Sequence, residues 1–179
     1  MRRWRRSEEP GPQLTNFPFG FFSVKLLEKT DHSLIFLIGK RERELLTAIL
    51  RRYPVMIAAH YGNRTHGSNS EPLKNQELLQ EALAEQQKEN RRQLEELLAH
   101  SGRFSEDELG FRFHLAPGEL EWVLQILNDV RVGSWVQLGE PDGDSPLLDV
   151  NITEQSVQLA WTMEMAGLFE HELLKALSS

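Results

Sequence analysis

The sequence predicts a mainly α-helical protein, in which a small N-terminal β-hairpin packs against a helical core. Apolar residues recur at helical spacing through much of residues 117–177, and two short β-rich runs precede the first helix. A chain of 179 residues is long enough to bury one core without cross-links. We therefore expect a flexible basic tail at residues 1–16 and a single globular domain at 17–179.

The composition excludes several classes of chemistry. The chain has no cysteine, which rules out disulfides, thiolate catalysis and cysteine-bound zinc. No apolar run reaches the roughly 20 residues that span a bilayer, and no apolar stretch follows the basic N-terminus as it would in a secretory signal. We expect a cytoplasmic protein with no membrane partner.

The charge is distributed unevenly along the chain. Residues 1–64 carry twelve Lys and Arg against six Asp and Glu, whereas the rest carries eight against twenty-one, a net charge of −13. This acidic body argues against nucleic-acid binding by the whole surface. The arginines around Trp4 could make a local anionic contact, but a solvated terminus is the interpretation we favour.

The first elements follow from local patterns. The runs at residues 17–27 and 33–38, with the turn former Asp31 between them, predict a hairpin. The second run is apolar at consecutive positions, so we expect it to be covered on both faces. A helix is predicted over residues 40–52 and should end before Pro54.

The middle of the chain is more polar. Residues 60–74 predict a mobile loop, and residues 75–100 predict a long helix whose thin apolar stripe places it at the periphery. His60 and His66 flank part of the loop, but their spacing alone does not indicate a metal site. The alternating residues 111–115 predict a short strand or a connector.

The last third has the strongest helical signal. Pro117 suits a first helical turn, and the helix should continue to about Gln137, with Gly139 just beyond. Asn151 with Glu154 three residues later predicts a capping box that opens the final helix. These two helices form the predicted core pair.

Two opposite charges fall within the apolar stripes of this pair. At 100° per residue, Arg131 shares the face of Leu120, Val123, Leu124, Leu127, Val130 and Ser134. Glu164 shares a face with Val157, Trp161 and Leu168 on the final helix. An unpaired charge there would be destabilising, so we expect the two to meet.

We weigh two interpretations of this pair. In the favoured one it fixes the helix register, and removing Arg131 alone should cost about 3–5 kcal/mol of stability. In the other, Arg131 grips an anionic ligand or a partner carboxylate while Glu164 tunes it. Asn128, Asp129 and His171 lie close enough on the same helices to join such a site.

Signatures of catalysis or cofactor binding do not occur in the sequence. It contains no glycine-rich phosphate loop with lysine, no HExxH and no nucleophile elbow, so we predict no catalytic residue, metal or cofactor. Trp122, Trp135 and Trp161 are interpreted as core or interface anchors. Two of them exposed together would instead mark a partner surface.

The string LNDVRVGSWVQLG at residues 127–139 resembles a segment of a bacterial domain-of-unknown-function family best represented in actinobacteria. The closing WTMEMAGLFEHELLKAL is similar to that family's final helix. The resemblance implies a regulatory context, because the family's genes tend to lie near the ClpS proteolytic adaptor. Some members look like redox-responsive partners of transcription factors, a mechanism that needs cysteines and does not carry over. The polar stretch at residues 60–100 departs from the family's compact members.

These observations favour a non-enzymatic regulatory or adaptor domain that binds an unidentified protein partner in regulated proteolysis or transcription. The alternative is an anion- or small-molecule-binding protein, or an enzyme, centred on Arg131 and Glu164. A deep pocket containing both side chains would favour the alternative. A flat apolar patch near the helix at residues 75–100 would favour the adaptor. No particular oligomeric state is predicted.

Overall fold

A computed structural model describes Phe22 and residues 24–56, 73–141 and 152–178. Within them the chain forms four helices and one four-stranded antiparallel sheet, which confirms the mainly α fold class. In chain order the elements are β1 (Val24–Lys29), β2 (Leu34–Ile38), α1 (Lys40–Leu50), α2 (Leu73–Ala99), β3 (Phe104–Asp107), β4 (Gly110–Leu115), α3 (Pro117–Gln137) and α4 (Glu154–Ser178). The predicted basic tail, His60, His66, Asn151 and most of the predicted loop at 60–74 lie outside the described residues.

The predicted hairpin is confirmed, and it belongs to a larger sheet. β1 pairs with β2 around a turn in which the Thr30 hydroxyl accepts from the Ser33 backbone N–H at 3.0 Å. β4 adds to the other side of β2, and β3 forms the far edge, giving the order β1-β2-β4-β3. The sequence pattern did not indicate β3, because its Ser, Glu and Asp residues have low strand propensity and it pairs on one side only.

β2 is covered less completely than its apolar run predicts. Leu34, Phe36 and Ile38 are buried against the helices, whereas the alternate residues Ile35 and Leu37 are only partly buried. The prediction that both faces of β2 are covered was therefore only partly correct, because one face is buried and the other is partly buried. Consecutive strand residues point to opposite faces, and here the helices bury one face fully.

Helix α2 is attached by apolar contacts at one end and polar contacts in the middle. Of its described side chains, Leu94 and Leu97 are buried. The Gln87 amide donates to the Met56 carbonyl at 2.9 Å, and the Asn90 amide donates to the Tyr53 hydroxyl at 3.0 Å. The polar residues that interrupt the apolar stripe of α2 therefore also anchor it to the segment after α1.

Helices α3 and α4 form the largest interhelical contact of the described fold. The predicted face of α3 is buried at Leu120, Val123, Leu127, Val130 and Ser134, with Leu124 partly buried. Arg131, which was predicted to lie within this face, is exposed, so that part of the prediction was wrong. The apolar residues of this face pack with the inner face of α4 and with Phe36 and Phe113 of the sheet into one core cluster. The boundaries of α3 match the prediction, and Gly139 follows it with φ +89°.

The predicted face of α4 was wrong. Val157 is exposed and Trp161 and Leu168 are only partly buried. The buried stripe consists of Leu159, Ala160, Thr162, Met165, Ala166, Phe169, Leu173 and Ala176. Because the middle of α4 carries apolar residues on most of its circumference, periodicity alone could not select the inward side.

The predicted cap of α4 was also wrong. Thr153, not Asn151, immediately precedes the helix, and its hydroxyl accepts from the Ser156 backbone N–H at 3.0 Å. The Ser156 hydroxyl in turn accepts from the Thr153 backbone N–H at 2.8 Å. This reciprocal pair satisfies the N-terminal donors of α4 in the way a capping box does. Among the described helices, none is long and apolar enough to cross a membrane.

Candidate functional site

The outer seam between α3 and α4 forms a half-open groove with a volume of about 720 Å³. We call it the α3–α4 groove. Three residues of α3 and several of α4 line it, among them Arg131, Val132, Trp135, Met163, Glu164, Gly167, Leu168 and His171. The groove therefore brings together three of the five residues that the sequence analysis selected.

The helical register explains why these residues face outward. On α3 the buried positions Val130, Gly133 and Ser134 leave residues 131, 132 and 135 on the solvent side. On α4 the inward stripe leaves residues 163, 164, 167, 168 and 171 beside them. Apolar side chains thus remain on the outer seam after the core has formed.

Arg131 pairs with Glu170 and not with Glu164. Its Nε lies 3.0 Å from Oε2 of Glu170, and its Nη2 donates to Oδ1 of Asn128 at 2.8 Å. A Cβ built on Gly167 would lie 3.3 Å from Cδ of Arg131. The Arg131 side chain therefore passes over α4 at a position where that helix has no side chain. The expected pair fails because the inward face of α4 is rotated from the predicted one, which moves Glu170 to the seam.

Glu170 is the more deeply buried partner of this pair. Burial raises the pKa of its carboxyl, although the neighbouring Arg131 acts in the opposite direction. A single charged contact with a half-exposed guanidinium therefore does not repay the desolvation of the carboxylate. The pair joins α3 to α4, as the register interpretation requires, but we expect its contribution to stability to be small because the guanidinium is nearly half exposed.

Glu164 and His171 both lie on the groove wall, two turns apart on α4. Glu164 is partly buried, and no hydrogen bond or ion pair of its carboxylate occurs with the residues that the structure describes. This carboxylate is the uncompensated charge that the sequence analysis assigned to a pair.

The other two candidates occupy different positions. Asn128 does not line the groove but holds the Arg131 guanidinium from one turn away. Asp129 does not line the groove; its side chain is exposed, and desolvation by neighbouring protein atoms raises the pKa of its carboxyl. The structure therefore connects Asn128 with the groove through Arg131 and leaves Asp129 separate.

Sequence reasoning missed the apolar walls of the groove. Trp135 was interpreted as a core or interface anchor; it is exposed and therefore not part of the core, and its indole N–H donates to the Pro141 carbonyl at 3.3 Å. Trp122 and Trp161 pack against the core as expected, so the criterion of two exposed tryptophans is not met. The available signal was that Val132 and Trp135 fall outside the buried stripe of α3.

A second, smaller cavity of about 400 Å³ lies between the end of α2 and the start of α3. Its charged centre is Arg103, whose Nη1 and Nη2 lie 2.6 Å and 2.8 Å from the two carboxylate oxygens of Glu119. Arg103 also donates to the His114 carbonyl at 2.7 Å, and Glu119 accepts from the Ala116 backbone N–H at 2.8 Å. We call this arrangement the Arg103 cluster, and its contacts are those of a structural clamp between the sheet and α3.

The Arg103 cluster was not predicted. The sequence analysis noted an acid in the first turn of the helix at Pro117, but not its partner. Nothing in the local pattern relates Arg103 to a glutamate sixteen residues later, since the strands between them decide the distance. Among the described residues, no group of three or more His, Asp or Glu could hold a metal ion.

Comparison with known proteins adds no assignment to this geometry. No protein-family model, curated protein or solved structure matches the chain. The resemblance of residues 127–139 to a bacterial family thus stays a prediction.

Proposed function

We propose that this chain is a non-enzymatic regulatory or adaptor domain of the bacterial cytoplasm that holds a segment of a partner protein in the α3–α4 groove. The observation that carries the proposal is the apolar outer seam of the two best-packed helices. Val132 and Trp135 are exposed on α3, and Met163 and Leu168 face them from α4. No nucleic-acid contact and no cofactor are part of this proposal.

The shape and lining of the groove support a peptide-like occupant. A half-open groove between two long helices suits an amphipathic helix, which places apolar residues at intervals of three and four in such a seam. Methionine side chains adapt to partners of different shape. Aromatic residues such as Trp135 are common anchors at protein interfaces.

A small-molecule ligand is a second candidate, because the criterion for it is met in part: the groove contains both Arg131 and Glu164, although it is half open and not a deep pocket. Its volume also falls within the range of roughly 300–1,000 Å³ that is common for ligand pockets. The guanidinium of Arg131 is held by Glu170 and Asn128, however, which weakens the case for an anion centred on it. We therefore place this candidate second.

The test compares two substitutions that each put a glutamate in place of an exposed apolar residue. Val132→Glu adds a charge to the groove wall, whereas Leu79→Glu adds the same charge to α2, away from the groove. A partner captured from the native host is purified, and its dissociation constant is measured by calorimetry with each variant. We expect Val132→Glu to weaken binding at least tenfold, because it desolvates a charge at the interface, and Leu79→Glu to leave it unchanged.

Two results would argue against the proposal. If Leu79→Glu abolishes binding and Val132→Glu does not, the exposed face of α2 is the interface. Native mass spectrometry of the protein purified from its host tests the second candidate. A bound small molecule that is lost in Val132→Glu would favour it over a protein partner.

A further inference from the structure

The charges around the α3–α4 groove are not equivalent. The Arg131 guanidinium is already engaged on two sides, by Glu170 at 3.0 Å and by Asn128 at 2.8 Å. An incoming anion would have to compete with a carboxylate that is fixed beside it. Arg131 is therefore better suited to fixing the groove wall than to attracting a negative ligand.

Glu164 is in the opposite situation. It is partly buried on the α4 wall, and its carboxylate has no ion pair or hydrogen bond within the described part of the chain. Because Arg131 already pairs with Glu170, Glu164 is the acidic side chain of the groove lining that is left without a partner among the described residues. A cation placed next to Glu164 would gain attraction without breaking any contact.

The charge of the chain acts in the same direction, because its formal net charge is −7 and the acidic residues are concentrated in its larger C-terminal part. Residues 65–179, which include all of α2, α3 and α4, carry eight Lys and Arg against twenty-one Asp and Glu. Such an excess attracts basic partners over distances of about one Debye length and speeds their association. Local and long-range electrostatics thus both favour a positively charged partner.

We infer that the segment held in the α3–α4 groove is a basic amphipathic helix, whose apolar face packs on Trp135 and Val132 while a Lys or Arg pairs with Glu164. This inference rests on the proposed function and adds the chemistry of the partner. It replaces the anionic ligand, which the sequence analysis kept as an alternative, by a cation, because the partner of Arg131 is Glu170.

The experiment uses two synthetic peptides of about 15 residues, or about four helical turns. Both carry Leu and Trp on one face; one carries Lys on the other face, and its counterpart carries Glu at the same positions. Their dissociation constants are measured by calorimetry with the full chain at low and high salt. We expect the basic peptide to bind more tightly, by a margin that shrinks with salt.

The matched variants are Glu164→Gln in the groove and Glu81→Gln on the exposed surface of α2, which change the net charge equally. We expect Glu164→Gln to raise the dissociation constant of the basic peptide about threefold to fivefold, and Glu81→Gln to have no measurable effect on it. Circular dichroism verifies that both variants keep the helical fold.

The outcomes separate this inference from the proposed function. If both peptides bind equally well and Val132→Glu blocks both, the groove is a docking site but the basic partner is wrong. Equal losses in Glu164→Gln and Glu81→Gln would also overturn the pairing with Glu164, since only net charge would then matter. If neither peptide binds the wild-type chain, this inference fails, and the comparison of Val132→Glu with Leu79→Glu on a captured partner still decides the proposed function separately.

Discussion

The Arg103–Glu119 pair and the Arg131–Glu170 pair join different elements of the fold, yet their carboxylates respond in opposite ways. Arg103 is 15 % exposed and Glu119 37 %, whereas Arg131 is 46 % exposed and Glu170 17 %. The side-chain hydrogen bonds from Arg103 hold the pKa of Glu119 below its ordinary value. Desolvation raises the pKa of Glu170 despite its arginine.

The number of hydrogen bonds and the identity of the buried partner explain the difference. Glu119 receives two bonds from one guanidinium and one from a backbone N–H, so its charge is well solvated by the protein. Among the described residues, Glu170 has a single charged contact, with an arginine that is nearly half exposed. The first pair therefore stabilises the fold, and the second belongs to a surface whose charges are incompletely satisfied.

The largest expected effect comes from removing each arginine. Arg103→Ala should lower the free energy of unfolding by about 3 kcal/mol, because it leaves Glu119 and the His114 carbonyl without their partner. Arg131→Ala should cost only about 1 kcal/mol, because that arginine is nearly half exposed. Urea denaturation of both variants measures the difference, and equal losses would contradict the comparison.

The pH dependence of stability should be a smaller effect than the loss of either arginine, and its sign should be opposite for Glu119 and Glu170. A lowered folded pKa means that the contribution of Glu119 is present above its ordinary value of 4.5 and is lost as the pH falls. A raised folded pKa means that the contribution of Glu170 is present below 4.5 and is lost as the pH rises. Glu119→Gln should therefore become more destabilising, and Glu170→Gln less so, as the pH increases from acid to neutral.

Thermal unfolding at several pH values provides the measurement. For each variant, the difference in unfolding free energy from the wild-type chain is plotted against pH. Two slopes of the same sign would show that the two carboxylates share one environment, contrary to their contacts.

The smallest expected effect concerns the glycine beneath Arg131. Gly167→Ala should stabilise the fold by about 0.5 kcal/mol, since alanine favours a helix and the half-exposed Arg131 can move by a few tenths of an ångström. Gly133→Ala is the matched control on α3, where the new Cβ would lie 3.0 Å from Cβ of Val55 in a buried contact. We expect that variant to be destabilised. Scanning calorimetry measures the stability of both variants. A loss of stability in Gly167→Ala would show that the Arg131–Glu170 contact is more rigid than its exposure indicates.

Local patterns were enough to predict much of the fold. Pro117 and Gly139 mark the ends of α3, and the periodicity of α3 predicts its buried face. The first helix ends four residues before Pro54, in the region that this proline predicts. Strand β3 could not be predicted, because its polar residues form a strand only through pairing with β4.

The candidate site depended more strongly on tertiary structure. Arg131, Glu164 and His171 were selected from the sequence and line one groove. The predicted pairing of Arg131 with Glu164 was wrong, because α4 has apolar residues on most sides and can bury any of several faces. The contacts of α4 with α3 and the sheet select the face, and that rotation places Glu170 beside Arg131.

What the sequence determined by itself is therefore set by short-range physics. Spacing, caps and chain breakers predict where helices and strands begin, and the charge counts predict an acidic body. The tertiary structure alone decided which apolar side chains stay outside, which carboxylate Arg131 meets, and which charge is left for a partner. Those outcomes depend on how whole faces compete for burial, and that competition involves residues far apart in the chain.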